Sequence, residues 1–481
     1  MIRASWFGRL LLSAGLWVSA CHGQEFWDTL SLKTGRAGGI HVNGISVYLG
    51  HSSFTGPNTL DQVVPANVKF GGDTSYGAQW SLGWVHSGAR TSASVLYSGS
   101  YGGQARYTNL NAFGHYLVIE VDRHIGTRWS CSLSATGDYR TLNQYLFQPS
   151  PLSVVSQLPA SPSDLGAAFS VGNFSSNGAA AVFSGTPSVG DGASLSRYLL
   201  LADRILTYQV RASASYSPTS RLSLTFSGVS AGGQHSFDDN AKIAVPRTIG
   251  VNAGLTLSYS LSPRTSIGMN VFENRTENQF QTAYSTTASG NLGRMMGQHW
   301  FLSINGGMTY NITGQQTFGA QTYTPPASKQ VIGNGSLGYR VRAHTLLGSY
   351  SRSSLNTYGD AVGLYTLAAG AWQWARPGSA WRVYSSVSRY GIQNTGFSNL
   401  TGWRTNAGFS RILSRQFSAN VEYAYMYSLG SYLNIPINRT IQSARVSIRW
   451  HPQGVPHAEN PGVLGAPGMT QPGILQPGMM Q

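Results

Sequence analysis

The chain has 481 residues, of which 10% are charged and 41% hydrophobic, and its formal net charge is +15. A typical soluble domain is about 25% charged, so this composition argues against an ordinary soluble protein. Beyond the N-terminus no run of about 18 apolar residues occurs, and the sequence therefore predicts no transmembrane helix. There are only two cysteines, Cys21 and Cys131, which excludes a disulfide-based scaffold.

The N-terminus has the pattern of an export signal over residues 1–23. Arg3 and Arg9 form its basic region, and a short apolar run follows them. Val18-Ser19-Ala20-Cys21 resembles a lipobox, so acylation of Cys21 is an alternative to ordinary cleavage. The polar residues 24–42 are interpreted as a periplasmic lead-in.

From residue 43 to residue 450 the chain repeats short segments in which apolar and polar side chains alternate. In 206–216, Leu206, Tyr208 and Val210 share one face, and Thr207 and Arg211 share the other. Successive strand residues point to opposite faces, so the pattern predicts β-strands with one apolar and one polar face. A soluble β-sandwich shows the same alternation. Sparse charge, polar faces rich in Ser, Thr, Asn and Gly, and aromatic residues toward strand ends favour a transmembrane barrel instead.

Turn residues divide this region into about eighteen strands, with sixteen as the alternative count. Short turns alternate with long connections along the chain, as in bacterial barrels, where the short turns lie in the periplasm. The predicted fold is therefore an all-β, transmembrane, antiparallel β-barrel with both ends in the periplasm. The predicted strands are 43–54, 76–86, 90–100, 111–122, 128–138, 206–217, 221–231, 248–260, 265–275, 285–296, 299–310, 332–342, 344–354, 361–374, 380–391, 403–413, 416–428 and 438–450.

Two segments differ from the strand pattern. The insertion 139–205 is too long for a simple connection, and it is interpreted either as a constriction or cap of the lumen or as a surface loop. Residues 451–481, rich in Pro, Gly and Met, cannot bury a core and are predicted to be disordered. This tail is either a periplasmic docking segment or an inert extension.

The last predicted strand ends on Trp450, with Ile448, Val446 and Ala444 at alternate positions before it. This pattern resembles the terminal strand of bacterial outer-membrane β-barrels, which the barrel-assembly machinery reads. The resemblance implies an outer-membrane location and contact with outer-membrane lipid. It departs from the family in the tail, since the family's aromatic residue normally ends the chain, and it identifies no subfamily.

Several arginines fall on predicted polar faces and would line a pore. Fixed positive charge in a narrow channel with low-dielectric walls enriches anions. The alternative is that these arginines pair with lumen acids (Glu120, Asp138 and Glu422 are the candidates) or brace the wall. Arg449 is also a candidate for contact with lipid phosphates. The predicted pore-lining basic residues are Arg211, Arg340, Arg382, Arg445 and Arg449.

No enzymatic site, metal site or cofactor is predicted. His235, Asp238 and Asp239 lie together in a predicted loop, but adjacent loop residues do not form the rigid constellation that catalysis requires. Cys131 is interpreted as a small residue on an apolar strand face.

The sequence therefore predicts a passive, anion-preferring outer-membrane channel, with an anionic solute or polysaccharide as its partner and no nucleic acid. Export of an anionic polysaccharide is the narrower form, because the chain resembles eighteen-stranded polysaccharide exporters in strand count and arginine content. The alternative is a structural or adhesive surface barrel with a closed lumen.

Overall fold

The computed structural model describes residues 40–55, 72–141, 204–236, 248–278, 282–318, 321–355, 363–394, 398–432 and 435–452, except for positions 107, 109–110, 298, 319–320, 325 and 377. Within those ranges, no helix is long and apolar enough to cross a membrane. Several sequence-based predictions fall outside them: the export signal with Cys21, most of the lead-in, residues 142–203 of the insertion, and all but the start of the tail.

Eighteen long antiparallel strands form one sheet, and a short hairpin accompanies them. The eighteen-strand prediction is confirmed, and the alternative of sixteen is wrong. The strands are β1 Ile40–Thr55, β2 Asp73–Ser87, β3 Thr91–Gln104, β4 Ala112–Ile125, β5 Trp129–Thr141, β6 Arg204–Tyr216, β7 Leu222–Ser236, β8 Thr248–Ser262, β9 Thr265–Asn278, β10 Thr282–Met296, β11 Trp300–Thr313, β12 Gln316–Phe318, β13 Gln321–Tyr323, β14 Ser328–Val341, β15 His344–Leu355, β16 Gly363–Ala375, β17 Trp381–Asn394, β18 Ser398–Ile412, β19 Phe417–Tyr432 and β20 Ile435–Trp450.

The sheet closes on itself because its first and last strands pair. Ile45 of β1 lies opposite Trp450 of β20, and the antiparallel register continues to Thr55 opposite Thr440. Every other long strand pairs with its neighbours along the chain, while the β12–β13 hairpin stands outside the sheet. Closure leaves no unpaired strand edge, which a bilayer would not tolerate.

The two faces of the barrel differ in chemistry and in exposure. Apolar side chains on one face are open, as at Val47 (55% exposed), Met308 (54%) and Val331 (59%). Polar side chains on the other face are covered, as at Thr256 and Asn270. A curved sheet crowds the side chains on its concave surface and spreads those on its convex surface. The apolar face is therefore the outward one, and a continuous apolar outer surface of this kind fits lipid.

All eight connections at one end of the barrel are short, and β1 begins and β20 ends at that same end. Short turns mark the periplasmic side of bacterial barrels, so we call this end the periplasmic end. Glycines with positive φ occupy three of these turns, at Gly126, Gly297 and Gly378, and Arg342 adopts φ of 53° in a fourth. Left-handed backbone in a tight turn suits glycine because it has no Cβ.

Two features differ from the sequence-based interpretation. The inward face is not uniformly polar, since Phe301, Leu347 and Ala371 form a buried apolar cluster there. The ring of Phe301 lies over Gly338, where a Cβ would stand 1.6 Å from Cε1. Outward aromatic residues are also not confined to strand ends, since Trp80 lies in the middle of β2.

Candidate functional site: the inward face of the barrel

The alternation that builds each strand also orients its arginine. In β20, Val446 and Ala444 flank Arg445 and lie on the outward face, so Arg445 points inward. Its register neighbours are Gly50 of β1 and Glu422 of β19.

The other four arginines predicted to line a pore also occupy inward positions. Their cross-strand neighbours on the inward face are small or polar residues: Ser134 for Arg211, Thr345 for Arg340, Ser410 for Arg382, and Ser46 for Arg449. Arg449 therefore does not face the surrounding lipid. That these residues act on a permeating solute remains a prediction.

Four inward arginines cluster on neighbouring strands. Arg382 of β17, Arg404 of β18, and Arg445 and Arg449 of β20 form what we call the basic sector, which contains one carboxylate, Glu422. Arg404 lies opposite Ser388 and next to Asn406 on the inward face. Sequence reasoning missed it, although it alternates with outward Trp403 in the expected way.

Arg445 lies over the aromatic ring of Tyr48 at the β20–β1 seam. Its Cζ atom is 3.3 Å from the ring centroid, a close cation–π contact. The Tyr48 ring has room because it lies over Gly77, where a Cβ would stand 2.6 Å from the tyrosine hydroxyl oxygen. Among the described residues, Nε and Nη1 of Arg445 have no hydrogen-bond acceptor. Both atoms are buried, so these two N–H groups are unsatisfied donors in the wall of the barrel.

Glu422 balances part of the positive charge in the basic sector. Arg445, Arg404 and the hydroxyl of Tyr384 all interact with its carboxylate. Tyr384 reaches it across Gly408, where a Cβ would stand 2.6 Å from the tyrosine hydroxyl oxygen. One carboxylate cannot neutralise four guanidinium groups, so the sector keeps a net positive charge.

A second group of inward charges has the opposite sign. Asp73 of β2, Glu120 and Asp122 of β4, and Asp138 of β5 form what we call the acidic sector. Glu120 is only 2% exposed, and its Oε2 has no hydrogen-bond partner among the described residues. Asp122 accepts a hydrogen bond from the Ser92 hydroxyl at 3.5 Å.

Asp73 has a structural role at the far end of the acidic sector. Its Oδ1 accepts hydrogen bonds from the backbone N–H groups of Thr74 at 2.7 Å and Arg106 at 2.8 Å. Glu120 and Asp138 were among the acids expected in the lumen, and Asp122 and Asp73 were not. The inward position of Asp122 is visible in the sequence, since it alternates with outward Val121 and Arg123.

The inward layer nearest the periplasmic end contains only positive or neutral groups. Arg340, Arg382 and Arg449 each occupy the inward position closest to that end of their strand, and we call them the mouth layer. In the described strands, no carboxylate occupies the corresponding position.

His451 lies just past β20 and shares a hydrogen bond with Ser418 at 3.0 Å between Nε2 and Oγ. Burial and the nearby guanidinium groups of Arg449 and Arg382 lower the pKa of its imidazole to about 4. The histidine is therefore neutral near pH 7, and the positive charge of the mouth layer comes from the arginines.

Two other residues singled out from the sequence lie away from this surface or cannot be placed. Cys131 is on the outward face of β5, where neighbouring side chains cover it. The backbone of His235 lies near the end of β7. Its side chain and residues 237–239 are outside the described part of the chain.

No protein-family model and no curated protein matches this sequence. Solved structures with a similar fold include OpdL of Pseudomonas aeruginosa, at 11% identity over 85% of this chain and 97% of that one, with a TM-score of 0.41. The FrpB iron transporter of Neisseria meningitidis aligns at 11% identity over 84% of this chain and 66% of that one, with a TM-score of 0.42. A bacterial polysaccharide outer membrane secretin aligns at 7% identity over 85% and 98% of the two chains, with a TM-score of 0.33.

At these values the likeness extends no further than the barrel architecture. The closed sheet, the apolar outward face and the polar inward face of this chain carry the assignment themselves. The protein is a closed eighteen-stranded antiparallel β-barrel of the membrane-spanning type, and no subfamily is identified.

Proposed function

We propose that this barrel is a passive outer-membrane channel that prefers anions. The observation that carries the proposal is the mouth layer: in the described strands, the inward positions nearest the periplasmic end include Arg340, Arg382 and Arg449 and no carboxylate. Guanidinium groups stay charged at every physiological pH. An ion that crosses the lumen therefore meets fixed positive charge at this end.

The physical basis is focusing of the electrostatic field. A ring of basic side chains in a pore with low-dielectric walls raises the local concentration of anions and disfavours cations. The basic sector extends this effect deeper into the barrel through the positive charges of Arg404 and Arg445. No catalytic step is part of the proposal.

The test reverses the charge of the mouth-layer side chains from positive to negative. In planar bilayers, Arg340→Glu, Arg382→Glu and Arg449→Glu together are expected to turn anion preference into cation preference, read from the reversal potential in a salt gradient. A matched control replaces three outward arginines at the same end, Arg123, Arg294 and Arg411, by Glu. The control should keep the wild-type preference. An unchanged reversal potential in the mouth-layer variant would reject these arginines as the selectivity element.

For the solute, we propose an anionic polysaccharide as the narrower form. Guanidinium groups bind carboxylates through paired N–H donors, and the basic sector presents several of them along one wall. A uronic-acid oligosaccharide added on the periplasmic side should block the ion current of the wild type and should block Arg404→Gln, Arg445→Gln more weakly. A neutral oligosaccharide of the same length is the control. Equal block by both sugars would exclude recognition of the polymer's charge.

One observation favours the alternative of a structural or adhesive barrel with a closed lumen. The inward face has apolar clusters at Phe301, Leu347 and Ala371 and at Leu96 and Val118, which a water-filled pore does not need. Such side chains suit a lumen that is packed rather than open. Conductance separates the two functions, because a closed barrel adds no current to a bilayer.

We also propose that β20 is the segment read by the barrel-assembly machinery. Its outward residues Ala444, Val446, Ile448 and Trp450 form an unbroken apolar row at the seam with β1. Replacing Ile448 and Trp450 by Ser should reduce the amount of folded barrel in the outer membrane, measured by heat-dependent mobility on gels. Normal assembly of that variant would reject the proposal.

A further inference from the structure

Arginine recurs in the short turns at the periplasmic end. Seven of the eight turns carry one, and the eighth carries His299, with outward Arg294 nearby on β10. None of the eight turns contains Asp or Glu. The turn arginines, all exposed, are Arg90, Arg128, Arg221, Arg264, Arg342, Arg376 and Arg415.

Three more arginines point outward just above these turns, at the level of the aromatic belt. They are Arg123, Arg294 and Arg411, and all are exposed. The guanidinium of Arg411 lies over the Trp381 ring, with its Cζ 4.8 Å from the centroid. Pairs of outward aromatic rings lie at the same height, including Trp129 with Tyr216 and Trp300 with Tyr339. Aromatic rings in this position mark the boundary between hydrocarbon and headgroups.

Within the described part of the chain, none of these ten arginines forms an ion pair with a carboxylate. An exposed pair, Arg275 with Glu277 at 2.9 Å, lies near the opposite end of the barrel. Among the described residues, exposed positive charge is therefore concentrated at the periplasmic end and is not balanced by carboxylates there.

We propose that the ten arginines, together called the periplasmic belt, bind anionic phospholipid headgroups of the periplasmic leaflet. Clustered basic side chains at a membrane surface attract anionic lipids, and guanidinium groups bind phosphates through paired donors. The outward arginines lie on the lipid-facing wall, where a soluble partner has no access. The turn arginines surround the barrel on all sides, as annular lipid does, whereas a docked protein would use one side.

The test uses the belt arginines that the strand register places on the lipid side. Arg123 lies opposite Thr91, Arg294 opposite Leu302 and Arg411 opposite Trp381, all on the outward face. Replacement by Gln removes the charge of each side chain and leaves the turns unchanged.

The test variant is Arg123→Gln, Arg294→Gln, Arg411→Gln, which removes the three outward arginines of the belt. The matched control, Lys329→Gln, Arg352→Gln, Arg389→Gln, removes three outward positive charges at the opposite end. Each protein is reconstituted in vesicles of equal phosphatidylglycerol and phosphatidylcholine and extracted in mild detergent, and its retained lipids are quantified by mass spectrometry. The wild type and the control should retain phosphatidylglycerol several-fold over phosphatidylcholine, and the test variant should approach the bulk ratio.

Two outcomes would overturn the proposal. The first is a wild-type protein that retains the two lipids in the bulk ratio, or a test variant that keeps the full preference. The second is a test variant that retains the two lipids in the same ratio as the wild type but no longer co-sediments with purified peptidoglycan, while the wild type and the control still do. That result would assign the belt to an anionic polymer of the periplasm rather than to lipid.

Discussion

The basic and acidic sectors have the same architecture but opposite charge. Both consist of neighbouring antiparallel strands with inward side chains at alternate positions, and β1 lies between them. On β17 to β20, four described inward arginines accompany one inward carboxylate. On β2 to β5, four carboxylates point inward and no described inward side chain is a lysine or arginine.

The two sectors also differ in whether their buried carboxylates have interaction partners. The carboxylate of the basic sector, Glu422, interacts with two arginines and a tyrosine, and Arg445 is stacked on Tyr48. The buried Glu120 of the acidic sector leaves Oε2 without a partner among the described residues. Interaction with its partners offsets the desolvation cost of a buried carboxylate such as Glu422. A buried carboxylate without a partner, such as Glu120, lowers the stability of the barrel, so we expect it to be there for function.

The largest expected effect is on selectivity, in opposite directions for the two sectors. Arg382→Gln with Arg404→Gln should lower the ratio of anion to cation permeability, because two fixed positive charges leave the wall. Glu120→Gln with Asp122→Asn should raise the same ratio. Reversal potentials in a salt gradient measure both. Shifts in the same direction would show that the sectors do not act as opposite charges on the conduction path.

The next effect compares two buried glutamates by stability. Glu422→Gln should lower the free energy of unfolding by about 3 kcal/mol, because it leaves Arg404 and Arg445 without their carboxylate. Glu120→Gln should leave it unchanged or raise it by about 1 kcal/mol, because an unpaired carboxylate loses its desolvation cost. Urea unfolding in detergent micelles gives both values. Equal destabilisation would remove the distinction between the two walls.

A smaller effect concerns the contact at the β20–β1 seam. Arg445→Met should cost about 2 kcal/mol, since the guanidinium lies 3.3 Å from the Tyr48 centroid in a desolvated setting. Arg411→Met is the control, because its contact with Trp381 is exposed and should be worth about 0.5–1 kcal/mol. A double-mutant cycle with Tyr48→Leu isolates the stacking energy. A coupling energy near zero would assign the cost to lost packing and to the lost interaction with Glu422.

The smallest effect depends on pH. The imidazole of His451 has its pKa lowered to about 4 in the folded barrel, whereas an unperturbed histidine titrates near 6.5. As the pH falls from about 6.5 to 4, the unfolded chain takes up a proton that the folded chain does not, so stability falls. The expected loss is on the order of 1 kcal/mol, since lumen water screens the arginines. His451→Gln should abolish this part of the pH dependence, and a variant with the wild-type pH profile would contradict it.

Much of the fold could be predicted from the sequence because a strand's dyad pattern is local. All eighteen predicted strands exist, and the inward position of Arg211 follows from the alternation of Val210 and Ala212. The ends were less predictable. The eighteen long strands have 12 to 16 residues, whereas the predicted spans have 11 to 14. Pairing continues beyond the apolar stretch, mostly at the end with long connections.

The arrangement of the inward face could not be predicted in the same way. That Arg445 meets Tyr48, or that Arg382 and Arg404 share a wall with Glu422, depends on register between strands distant in sequence. The inward apolar cluster around Phe301 was also missed, because an apolar residue at an inward position weakens the alternation that reveals a strand. The Phe301 ring fits because its cross-strand neighbour is Gly338, and this pairing is known only from the structure.

The most direct test of the central claim is a recording of the purified wild-type protein in a planar bilayer under a potassium chloride gradient. An anion-preferring channel should give discrete current steps and a reversal potential of the sign set by chloride, because the inward positions nearest the periplasmic end of the described strands include Arg340, Arg382 and Arg449 and no carboxylate. A correctly folded barrel that gives no current, or a reversal potential of the sign set by potassium, would contradict the proposed function.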